Sequence, residues 1–176
     1  VTYLHNLFQN GAPTLSGLVE MFHERRRRGE IEVSEDLTFV MITGDGGMDI
    51  GMGPTIGTAL RNHRMIVLEY DNQGYMNTGG QLSYTTPMGR ATSTSHSGKS
   101  FHHKDTVAIM AATGIPYVFT GIEGYGTDLI EKAAKAQWYA RNEGLAFGKI
   151  LITCPLNWGS EERLGQTILQ NAVECC

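Results

Sequence analysis

Along the chain, short apolar runs alternate with longer stretches whose apolar positions recur every three to four residues. Leu15, Leu18, Val19 and Phe22 share one helical face, which predicts a helix over residues 14–29 with Gly29 as its stop. The run "LTFVMIT", residues 37–43, has strand length, and "RMIVLEYD", residues 64–71, reads as a second strand. Between them, residues 49–62 read as a helix whose start is blurred by glycines and Pro54. Further on the pattern gives a helix over 105–113 with Asp105 as N-cap, a strand over 116–120, and a helix over 128–142. A strand over 149–153 and a last helix from about Ser160 complete it. Strand alternating with helix predicts an α/β fold, a parallel sheet with helices on both faces.

One segment breaks the rhythm. Residues 72–104 are rich in Ser, Thr and Gly and carry no periodic pattern, and loops of that length inside a compact domain are usually functional. There is no internal repeat and no linker, so residues 1–176 read as one domain with a sizeable core. The chain opens on Val1 and stops at Cys176 without an obvious finish, and we expect a piece of something longer.

Composition narrows the function classes. A net charge of −4 gives no general attraction to nucleic acid or to an anionic membrane. No apolar run approaches the roughly 18 residues that span a bilayer, and no basic-then-apolar leader is present. With three cysteines, two of them adjacent at the end, a reducing and cytoplasmic setting is expected. Arg25, Arg26, Arg27 and Arg28 fall in the last turn of the first predicted helix, where they suit the helix dipole as a solvated end.

The chemistry collects at two strand ends, the usual place for ligands in open parallel sheets. After the first strand comes Gly44-Asp45-Gly46-Gly47, and after the second Asp71-Asn72-Gln73-Gly74-Tyr75. Glycines near a helix start offer backbone N–H groups to phosphate oxygens. Asp45 and Asn72 are hard oxygen donors of the kind magnesium prefers. Taken alone, Asp45 reads equally well as part of an Asp-Gly turn.

Spacing supplies the next step. Between Gly46 and Asn72 lie 25 residues, and Gly-Asp-Gly followed by Asn at that distance resembles the thiamine diphosphate fingerprint. "YDNQGYMNTGGQLSYTTPMGRATSTSHSGK", residues 70–99, is similar to the cofactor-binding segment of the pyruvate:ferredoxin oxidoreductase family, and "GIPYVFTG", "CPLNWG" and "LHNLFQNGAPTLSGLVE" extend the match. The resemblance implies a beta subunit or thiamine diphosphate-binding domain of the pyrophosphate-binding type. It implies magnesium on Asp45, Asn72 and the Gly74 carbonyl, and diphosphate on the backbone of Gly46 and Gly47. Gly44, Asp49, Ile50, Tyr75 and Thr78 fall in the same cofactor-binding motifs, and Asn77 matches an asparagine beside the reactive rings, where it positions substrate. The implied reaction is oxidative decarboxylation of a 2-oxoacid, with coenzyme A taking the acyl group and ferredoxin the electrons. "YMNTGGQ" favours the pyruvate-like branch.

A partner subunit or domain is expected to supply the activating glutamate. A 4Fe-4S cluster would use Cys154 together with upstream cysteines absent here, Cys175 and Cys176 aligning with a non-ligand tail. Without the resemblance, Cys154 reads as a buried structural thiol.

The match departs at two places. The family usually has three residues between Gly-Asp-Gly and Asp-Ile-Gly, whereas here only Gly47 and Met48 intervene, which shortens the expected turn. Arg90 stands where the family often has Ala, and reads as a surface charge more readily than as a sign of an acidic substrate. His102, His103 and Lys104 read as a solvated loop end, and Lys99 follows no strand, so it makes no P-loop. Two rival readings remain: a thiamine-dependent decarboxylase without an iron–sulfur relay, and a non-catalytic assembly domain with a decayed site.

Overall fold

The computed structural model describes residues 2–33 and 37–174. Four strands, β1 (Val40–Gly44), β2 (Ile66–Asp71), β3 (Tyr117–Ile122) and β4 (Ala146–Leu151), form a wholly parallel sheet in the order β1-β2-β4-β3. The helices are α1 (Gly11–Arg27), α2 (Asp45–Ile50), α3 (Met52–Arg61), α4 (Thr106–Ala111), α5 (Gly126–Asn142), α6 (Pro155–Trp158) and α7 (Gly165–Glu174). The expected α/β class therefore holds.

Alternation along the strands divides the core in two, because successive side chains point to opposite faces. Met41, Val67, Phe147 and Val118 face one side, where Ala12 and Val19 of α1, Met48 of α2, Ala59 of α3 and Met110 of α4 pack against them. Ile66, Ala146 and Phe119 face the other, under Ala136 and Ala140 of α5. Each large apolar side chain buried this way contributes about 1.5–3 kcal/mol. Outside that second layer, Ile42 of the edge strand β1 stays 62% exposed.

Several boundaries differ from the sequence reading, each for a physical reason. β4 begins three residues earlier than expected, because Gly148 is not a strand end. A Cβ there would lie 2.2 Å from Cζ of Phe119, its register partner on β3, whose ring occupies the space. The helix expected over 49–62 instead starts at Asp45, immediately after β1, and breaks at Gly51. Pro54 explains the break: it has no N–H to continue the ladder, and its ring would clash with the carbonyl of Ile50. The missing residue beside Met48 thus falls inside an ordered helix with Met48 fully buried, not in an open turn. The last helix, expected from about Ser160, is α7 and starts at Gly165, with the short α6 lying ahead of Ser160.

Strand register brings the chemistry to one edge. Gly44 pairs with Tyr70, and Asp71 with Leu151, so Asp45 and Asn72 leave adjacent strands at the same carboxyl end.

Candidate functional site

Asp45 opens α2 and is only 5% exposed. Its Oδ1 accepts the N–H of Gly46 at 2.9 Å, and the Thr85 hydroxyl reaches its Oδ2 at 3.4 Å. Among the described residues no basic side chain pairs with it. Burial therefore pushes the Asp45 carboxyl up to about 6, and the neighbouring Asp71 adds to the shift against the hydrogen bonds of Ser83 and Gly46. Gly46 is glycine for a local reason: a Cβ there would come 3.1 Å from the Tyr75 ring.

Asp71, by contrast, is fully answered. It accepts from Thr85 Oγ1 and the Gln73 N–H, at 2.7 and 2.8 Å, and pairs with Lys149 at 3.0 Å. Thr85 thus ties the ends of β1 and β2 together. Asn72 follows at once; its backbone carbonyl accepts from Asn157 Nδ2 and Trp158 Nε1, and its Oδ1 from the Gly74 N–H at 3.3 Å. The donors brought together are one carboxylate, one carboxamide and backbone oxygens, a hard set of the kind magnesium prefers alongside a ligand's phosphates. No group of three or more His, Cys, Asp or Glu suited to a metal occurs among the described residues.

A second polar group lies beneath the first. The Asp49 side chain, 1% exposed, accepts from the Tyr75 hydroxyl at 2.7 Å and the Tyr84 N–H at 3.0 Å, and pairs with Lys104. Lys104 also lies 3.4 Å from Glu69, which is fully buried with Oε2 unpartnered. Burial pushes the Glu69 carboxyl up to about 7, although Lys104 and Lys149 pull it down. Because that value exceeds the ordinary one of 4.5, the Glu69 contribution to stability is full below pH 4.5 and is lost as pH rises through 7. Glu69→Gln should match the parent at pH 4.5 and exceed it by about 3 kcal/mol at pH 8 in urea unfolding.

The remaining predicted residues fall into place less tightly. Asn77 and Thr78 are exposed on the loop, Gly44 is the N-cap of α2, and Ile50 is 56% exposed. Cys154 is a free, half-buried thiol at the start of α6, while the expectation for Cys175 and Cys176 lies outside the described residues. Arg90 is not a surface charge: it is half-buried, donates to both oxygens of Asn157, and lines a cleft of about 1000 Å³ with Gln73, Leu151 and Trp158. His102 and His103 are exposed as expected, but Lys104 is not a solvated end. Asp105 caps α4 by accepting the Ala108 N–H at 2.9 Å. Arg27 and Arg28 bind Glu24, in keeping with a solvated helix end.

Thr85 and Glu69 were missed by sequence reasoning, and Lys99 and Lys104 were noticed without their buried positions being foreseen. One signal was available: a charge such as Glu69 inside an apolar strand requires a buried partner.

The family described as the thiamine pyrophosphate enzyme, C-terminal TPP-binding domain, matches residues 11–147. The chain belongs to this family. Relatives of this TPP-binding domain include pyruvate synthase subunit PorB of Methanothermobacter marburgensis, 41% identical over 99% of the chain and 59% of the relative. The subunit of the same name in Methanocaldococcus jannaschii is 38% identical over 90% of the chain and 54% of the relative. Both accord with the pyruvate:ferredoxin oxidoreductase resemblance, and the chain spans little more than half the length of either. Among solved structures, 2-oxoglutarate:ferredoxin oxidoreductase of Magnetococcus marinus, with 2-oxoglutarate, coenzyme A and succinyl-CoA bound, superposes with a TM-score of 0.70. That match is 26% identical and covers 86% of this chain and 47% of the other. No helix among the described residues of the TPP-binding domain is long and apolar enough to cross a membrane.

Proposed function

We propose that the chain is the thiamine diphosphate- and magnesium-holding part of a 2-oxoacid:ferredoxin oxidoreductase of the pyruvate-like branch. The observation that carries this is Asp45, a buried carboxylate with no basic partner among the described residues, beside Asn72 at the end of the adjacent strand. A divalent cation answers such a charge, and carboxamide and backbone oxygens complete the protein's share of its shell. Asp45, Asn72 and the Gly74 carbonyl hold the magnesium, and the start of α2, at Gly46 and Gly47, faces the diphosphate. When bound, thiamine diphosphate supplies the electron sink for decarboxylation.

The chain's own residues do the positioning. Thr85 fixes the Asp45 carboxylate relative to Asp71, and Asn157 and Trp158 fix the Asn72 backbone. Exposed Asn77 meets the substrate, and Thr78 beside it belongs to the cofactor-binding segment. Cys154 ligates a 4Fe-4S cluster with cysteines from outside this segment, and a partner supplies the activating glutamate. Coenzyme A and ferredoxin complete the reaction. The decayed-site alternative loses its main support, because the shortened segment is an ordered helix with Asp45 held in place.

The test is turnover by the full-length protein with the subunits that copurify, offered pyruvate, 2-oxobutyrate and 2-oxoglutarate. We expect dye reduction that requires coenzyme A and is fastest with pyruvate, and loss of iron and of dye reduction in Cys154→Ser. Decarboxylation without electron transfer, unchanged in Cys154→Ser, would support the decarboxylase without a relay.

A further inference from the structure

Resting on the thiamine reading, we infer that Asp49 is a positioning residue and not a cofactor ligand: with Lys104 it gathers the 72–104 loop and holds it beside the strand ends that take the diphosphate. The three donors to its carboxylate come from three separate points of that loop. Tyr75 lies near its start, Tyr84 in its middle, and Lys104 at its end. The Tyr84 peptide is shared further: its N–H goes to Asp49, and its carbonyl accepts from the Lys104 N–H at 2.8 Å and from the Lys99 ammonium at 2.7 Å. With the Asp49 side chain 1% exposed and both oxygens engaged, the carboxylate is not presented to a ligand or its metal.

Its place on α2 explains why this position carries the clasp. Asp45 and Asp49 are four residues apart, hence neighbours on one helical face. A loop fastened to Asp49 is fastened one turn from the proposed metal ligand. Gly74 and Tyr75 then stand at fixed places relative to Asp45, with the Tyr75 ring against Gly46. The cost of ordering the loop is met before the cofactor arrives, which raises affinity without any contact to it.

The charges permit a decisive test. If Asp49 and Lys104 acted only through the electrostatic potential at the diphosphate, Asp49→Asn would tighten binding and Lys104→Met would weaken it. A clasp predicts that both weaken it. With thiamine diphosphate and magnesium titrated into the full-length protein and its copurifying subunits, each variant should lose about tenfold in affinity. The double variant should lose no more than the worse single, because the two act as one unit. Amide exchange across residues 75–104, measured without ligand, should quicken in both. Should Lys104→Met fail to fold, Tyr75→Phe removes one hydroxyl donor and should weaken binding in the same direction. Unchanged or tighter binding in Asp49→Asn, or multiplying losses in the double variant, would overturn the clasp while leaving the thiamine reading intact. If the parent itself does not bind, the thiamine reading falls, and unaltered loop exchange in Asp49→Asn then decides against the clasp independently.

Discussion

Asp45→Asn is expected to abolish magnesium-dependent binding of thiamine diphosphate, weakening it about 100-fold or more, while making the ligand-free fold more stable. The two effects share one cause. Asp45 is 5% exposed, and its two nearest hydrogen-bond donors, the Gly46 N–H and the Thr85 hydroxyl, are neutral. Burying an ionised carboxylate without a cation is costly, and the raised value of about 6 for this group reflects that cost. A carboxamide of the same shape still accepts from Gly46 and carries no charge to desolvate. At pH 7.5 the variant should therefore gain about 2 kcal/mol in urea unfolding without ligand. With magnesium and cofactor present, the order should reverse, since only the parent gains ligand-linked stability. A variant less stable than the parent and still able to bind would show that the carboxylate serves packing alone.

The second large effect is expected at Lys99. Its side chain is 2% exposed, and its ammonium donates to the carbonyls of Ser83, Tyr84 and Thr86, at 3.4, 2.7 and 2.7 Å, with the Phe101 ring 4.8 Å away. No carboxylate pairs with it among the described residues; it works as an internal cation around which the loop backbone folds. Burial lowers its affinity for the proton, and Asp49 and Asp71 oppose that shift. Lys99→Ala leaves the Thr86 carbonyl without this donor, at about 1–3 kcal/mol, and strips the second donor from the Ser83 and Tyr84 carbonyls, which keep the Thr86 and Lys104 N–H groups. The loss should fall on the loop more than on the sheet. Trypsin should cut readily after Arg90, which Asn157 now holds, while the main unfolding transition moves far less. Equal protection of Arg90 in parent and variant would contradict this account of the loop.

What the sequence made legible was whatever depended on near neighbours in the chain. The order of strands and helices followed from apolar periodicity, and the pairing of Asp45 with Asn72 from a motif whose spacing matches two adjacent strand ends. Boundaries failed where a residue answered to a distant partner: Gly148 reads as a break until the Phe119 ring is seen to need its space. The loop failed for the same reason. Lys104 meets Asp49 across 55 residues, and Thr85 meets Asp45 across 40, so neither contact leaves a local pattern. Arg90 was misread because its partner, Asn157, lies 67 residues further on. A long polar loop without periodicity was correctly marked as special, but its order comes from buried charges that composition does not reveal.

Calorimetric titration of the full-length protein, with its copurifying subunits, against thiamine diphosphate tests the central claim most directly. The account predicts saturable binding, one cofactor per chain, that appears with magnesium and vanishes on its removal by chelator. Absence of binding in the presence of magnesium, or binding indifferent to the metal, would contradict it.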